Sequence, residues 1–141
     1  MLLSILLLFV LLMIVLKSLS TGKTKPFTNS KGKLENSIAK ITKKNIGGIK
    51  QSLIIRGENI ENPVLLFLHG GPGTSEYSLF KYLNLNIEDI FTVCYWEQRG
   101  AGMSYSKDIN KETMNLEQMI SDTIAVTDYL RYKFNKKKIY I

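Results

Sequence analysis

Pro63-Val64-Leu65-Leu66-Phe67-Leu68 runs without a break into His69-Gly70-Gly71-Pro72-Gly73. An alternating pattern would signal a sheet wetted on one side. An unbroken apolar run of strand length signals a strand buried on both faces, as in a parallel sheet covered by helices. Glycines at its carboxyl end let the backbone turn sharply and come close to a ligand. Ligands of open α/β sheets bind at that end of the strands. Such a turn can aim N–H groups at an oxyanion. Taken alone, it reads more simply as a tight strand-to-helix turn.

The flanking sequence supplies the rest of an α/β pattern. Ile90–Trp96 is a second buried strand, and Tyr77–Leu85 between the two has the length of a short helix. Upstream, Ser37–Lys43 and Ile49–Arg56 carry apolar residues near period two. Asn45, Gly47 and Gly48 between them suit a hairpin turn. Downstream, Leu116, Met119, Ile120, Thr123, Ile124, Thr127, Leu130 and Phe134 recur at helical spacing. Asn115 stands as N-cap, with Gln118 in the capping-box position. Ile139–Ile141 opens a further strand after the basic turn Asn135–Lys138. Strands alternating with helices predict a mainly parallel sheet with right-handed crossovers and the hairpin at one side.

The N-terminus has another character. Met1–Leu16 is apolar except for Ser4, and no face of it is polar. Residues 1–16 read either as a signal peptide, with Ser18 and Ser20 as small residues for cleavage, or as an uncleaved anchor. The missing basic residue ahead of the run favours the anchor. The lysines behind it would hold the chain on the cytoplasmic side, so the side of the membrane stays open, as does secretion. Residues 17–36 read as a basic linker and 37–141 as the folded unit. Lys17, Lys23, Lys25, Lys31, Lys33, Lys40, Lys43, Lys44 and Lys50 meet only Glu35 before Glu58. Without interleaved aromatics this run suits a membrane flank or a solvated linker, not a nucleic-acid site. The 141 residues, with net charge +7 and 45% hydrophobic content, allow one domain. Cys94 is the only cysteine, so no internal disulfide forms.

His69-Gly70-Gly71-Pro72-Gly73 after an apolar strand resembles the HGGPG signature of the proline iminopeptidase family of α/β-hydrolases. At the next strand end, Trp96-Glu97-Gln98-Arg99-Gly100-Ala101-Gly102-Met103-Ser104 is similar to the family's D-Q-R-G-x-G-x-S, with Glu97 in place of Asp. The resemblance covers Ile38 to Ile141. It implies an oxyanion donor in the first loop, Gly71 by first choice and Gly70 otherwise. It implies loop support from His69, Pro72, Gly73, Glu97, Gln98, Arg99 and Gly100, with Arg99 bridging loops around the site. It implies no metal and no cofactor. His69 is not the base on this reading, because the family's base comes after its serine. Cys94 packs in its strand and is not a nucleophile.

No G-x-S-x-G occurs in the chain, and none of the Ser/Asp/His triad is identified. The resemblance places the elbow just after Ile139–Ile141 and a cap recognising a substrate's amino terminus later still. The expectation is therefore the N-terminal portion of a membrane-associated serine hydrolase. An aminopeptidase acting on a peptide or a small amide or ester is favoured, and residues 1–141 alone would be inactive. The alternatives are an esterase or epoxide hydrolase, or a non-catalytic membrane-anchored remnant.

Overall fold

The computed structural model describes residues 2–19, 24–70, 73–83 and 85–141, with side chains described for 5–15 of the first helix. That helix, α1 (Leu2–Leu19), leaves Ile5 to Val15 between 44% and 70% exposed. Its 18 residues rise about 27 Å. Among the described residues no helix is long and apolar enough to cross a membrane. Ser20 and the side chain of Ser18 lie outside the described residues.

The stretch read as linker holds β1 (Thr28–Asn29) and β2 (Gly32–Lys33), which form a small antiparallel hairpin. A residue outside the stretch fastens it. Arg56 donates to Thr24 Oγ1 and, at 2.6 Å, to the Lys25 carbonyl, and its guanidinium stacks on Phe27. Composition showed that this segment has no core of its own. It could not show a partner supplied from a distant strand.

The main sheet contains β3 (Ile38–Ile46), β4 (Ile49–Gly57), β5 (Val64–Leu68) and β6 (Thr92–Glu97) in the order β3-β4-β6-β5. Gly47 and Gly48 form the β3–β4 turn, with φ of +53° and +82°. Positive φ at both positions is what a two-residue turn matched to strand twist requires. Asn45 pairs with Lys50 inside the ladder and is not part of the turn.

Among the described residues the sheet is mixed, not mainly parallel. β3/β4 and β4/β6 are antiparallel, and β5/β6 is parallel. The hairpin lies at one side of the sheet, as the sequence reading expected, and its second strand pairs antiparallel with β6 along Ser52–Arg56, which makes the sheet mixed. On its other edge β5 meets Tyr140 through a parallel bridge. Leu66 N–H donates to the Tyr140 carbonyl at 2.9 Å, and Tyr140 N–H to the Val64 carbonyl at 2.8 Å. β5 therefore lies between β6 and the segment around Tyr140.

Two helices pack on one face, α2 (Tyr77–Leu83) and α3 (Ile87–Ile90). Ile90 belongs to α3 and not to the second strand, which begins at Thr92. Glu88 and Asp89 favour a helical first turn there. Tyr77, Phe80 and Ile87 cover Ile54, Val93 and Tyr95. The other face is covered by α4 (Leu116–Lys133), whose Val126 and Leu130 pack on Leu53, Ile55, Leu66, Cys94 and Trp96. Burying an aliphatic side chain of this kind contributes about 1.5–3 kcal/mol.

The buried stripe of α4 differs from the expected one. Asp122, Val126 and Leu130 are buried, while Ile120 and Ile124 are 52% and 58% exposed. Asp122 turns inward because buried donors await it, and the apolar flank turns outward with it. The Asn115 side chain accepts from Gln118 N–H at 2.8 Å, as a cap should. The Gln118 side chain does not return to Asn115 but donates to Asp122 at 2.8 Å, so the capping box is half made.

Candidate functional site

Adjacent parallel strands send their following loops to the same sheet edge. The loop after Leu68 and the loop after Glu97 meet there. Gln98 makes two bonds to His69. Its backbone N–H donates to His69 Nε2 at 3.1 Å, and its side-chain amide donates to the His69 carbonyl at 2.8 Å. His69 Nδ1 lies 3.3 Å from the Gly70 carbonyl. A cavity of about 460 Å³ opens beside the pair, lined by His69, Gly70, Gly73, Gln98, Arg99, Met114 and Met119. Gly70 is exposed, with no atom within 4 Å of where a side chain would begin. Gly73 holds a φ of +87°. Gly71 and Pro72 lie outside the described residues.

Glu97 is buried, and its carboxylate accepts the Met103 N–H, folding the chain back over Gly102. Ser104 completes this turn. Its hydroxyl donates to the Glu97 carbonyl and accepts Ser52 N–H at 2.7 Å. The carboxylate thus shapes its own loop, where the longer arm of Glu reaches. It does not line the 460 Å³ cavity. Gly100 turns at φ +79° under Met114.

Arg99 points away from solvent into a polar network. It donates to Asp122 through Nε at 3.0 Å and a terminal nitrogen at 3.1 Å, and to the Gly47 carbonyl at 2.7 Å. Thr113 takes a further bond at 3.2 Å. Asp122 also accepts from Gln51 at 2.7 Å, and Gln51 accepts from the Trp96 indole at 2.8 Å. One ion pair thereby ties the β3–β4 turn, the β6 loop and α4 together. The sequence reading missed Asp122 and Gln51 and marked Gly47 only as a turn residue. Asp122 lies off the apolar stripe read for α4, so helical spacing gave no signal for it.

On the opposite face, Tyr95 donates to Glu88 at 3.1 Å. Burial first, then the charge of Glu88, push its phenol well above the usual tyrosine range, so it stays a donor. Burial likewise pushes the Cys94 thiol far up. A thiol held protonated inside a strand is no nucleophile.

Among curated proteins, the probable aminopeptidase YbaC of Bacillus subtilis (strain 168) is 45% identical over 107 residues, 76% of this chain. The chain is homologous to a peptidase-type hydrolase. It spans about a third, 34%, of that relative's length. Among solved structures, a proline iminopeptidase-related protein of Thermus thermophilus matches with a TM-score of 0.57 and 28% identity. The match covers 66% of this chain and 32% of that one. The mixed α/β fold described above is similar to that of this protein. No family model matches the chain.

Proposed function

We propose that this chain is the N-terminal portion of a serine hydrolase, an aminopeptidase of the proline iminopeptidase type that releases the first residue of a peptide. The meeting of the His69 and Gln98 loops at the carboxyl ends of β5 and β6 carries this reading. Attack on an amide carbonyl builds negative charge on its oxygen. A backbone N–H of Gly71, or of Gly70, is the group that would receive it. One such donor typically contributes a factor of about 10²–10³ in rate. The serine, its base and its orienting acid come from the rest of the fold in this reading.

The test is a chimera. Residues 37–141 replace the matching stretch of the Bacillus relative, and the product is assayed with amino-acid arylamides, proline first. Hydrolysis lost on replacing Gly71 with a bulky residue is the expected result. A folded chimera that cleaves only esters or epoxides, or nothing, would overturn the reading. Residues 1–141 alone should release no arylamine above the buffer rate, because their sequence holds no G-x-S-x-G elbow to present a serine for the acyl intermediate.

We also propose that residues 1–16 hold the domain at a lipid surface. The exposed apolar run Ile5 to Val15 and the lysines behind it support this. Adding residues 1–36 ahead of the chimera should move it to the membrane fraction of a cell lysate. A product that stays in the soluble fraction would show that the leader is not an anchor.

A further inference from the structure

We infer that His69 and Gln98 form a protonation-dependent latch, in which His69 is a positioning residue for the Gly70 loop only while its ring is neutral. The functional consequence rests on the oxyanion-loop reading above, but the latch itself rests on geometry. Gln98 N–H has His69 Nε2 as its acceptor at 3.1 Å, so Nε2 must carry a lone pair. The ring proton then sits on Nδ1, which faces the Gly70 carbonyl at 3.3 Å. Both ring nitrogens are thus engaged by one tautomer, with Nδ1–H donating and Nε2 accepting. The remaining tautomer would set two donors against each other at Gln98 and leave the Gly70 carbonyl without its partner. Protonating Nε2 does the same at Gln98. As pH falls, the ring-to-backbone bond is lost, and only the Gln98 side-chain bond to the His69 carbonyl, at 2.8 Å, still joins the loops.

The ionisable groups around the ring do not replace that bond. Glu76, Tyr77, Tyr95 and Glu97 share a small cavity with His69, and Arg99 lies on its other side. Glu97 is engaged by Met103 N–H, Arg99 by Asp122, and Tyr95 by Glu88. Tyr77 bonds Thr24.

His69 is the only histidine in the sequence, so its ring nitrogens give unambiguous signals. The experiment uses the full 141-residue chain, labelled with ¹⁵N in a mild detergent, with two-bond proton–nitrogen spectra from pH 8 to pH 5. The expected spectrum at pH 8 is that of the Nδ1–H tautomer. As the ring protonates, the Gln98 amide should shift with the same midpoint. Its exchange, corrected for intrinsic rate, should quicken at least ten-fold, while the Leu66 amide inside the sheet stays protected. His69→Gln, which offers a non-titrating oxygen near the Nε2 position, should keep Gln98 protected throughout. An Nε2–H tautomer at pH 8, loss of Leu66 protection together with Gln98, or an unchanged pH response in His69→Gln would each overturn the latch. None of these readouts needs turnover. The latch can therefore fail while the hydrolase reading stands, and an inactive chimera would leave the latch intact.

Discussion

Replacing Asp122 with alanine is expected to lower the unfolding free energy by about 3–5 kcal/mol. The side chains of Arg99 and Asp122 are 2% and 1% exposed, so removing the carboxylate strands a guanidinium away from water. Gln51 and Gln118 lose an acceptor in the same step. Burying an ion pair contributes little net stability compared with apolar packing, but breaking one costs much, because the surviving charge has lost its partner and cannot regain solvent. The control is in the same helix. Asp128 pairs with Arg131 at 3.1 Å, yet the two side chains are 62% and 45% exposed. Asp128→Ala should change stability by less than about 1 kcal/mol. Urea unfolding followed by circular dichroism measures both. Equal midpoints for the two variants would show that the buried network does not hold the fold.

The contrast explains how much of the molecule was legible in the sequence. The run Val64–Leu68 read correctly as a strand, with Val64 and Leu66 buried on one face, Leu65 and Phe67 half-buried on the other, and Leu68 exposed at the end. The direction of the hairpin was not legible, because pairing direction is set by where β4 docks and leaves no trace in its apolar spacing. The face of α4 was misjudged for a related reason. Apolar periodicity treats every polar residue as outward-facing, whereas Asp122 faces inward once Arg99 and Gln51 are there to receive it. In the site, His69 and Gln98 could be marked from their motifs. The bond between them depends on loop geometry that neither motif contains. Arg99 could be marked in the same way, but its partners lie 23 and 52 positions away.

The tightest of those contacts yields the second large expectation, for Gly47→Ala. A methyl group at Gly47 would overlap Asp122 Oδ1 and also strike Arg99 and Gln118, so three members of the network must move at once. The backbone adds its own cost. At φ +53° a side chain crowds the following carbonyl, by roughly 1–2 kcal/mol. Gly48, with φ +82° and open space around it, should show the backbone cost alone on substitution by alanine. Gly47→Ala should therefore destabilise by about 2 kcal/mol more than Gly48→Ala, near the middle of the range for coupling between contacting groups. The excess has a further signature. If it arises from displacing the ion pair, it must shrink once the pair is already broken. In the Asp122→Ala background the difference between the two glycine variants should fall below about 1 kcal/mol. A difference that persists undiminished would mean that the turn itself, and not the Arg99–Asp122 pair beneath it, demands glycine at position 47.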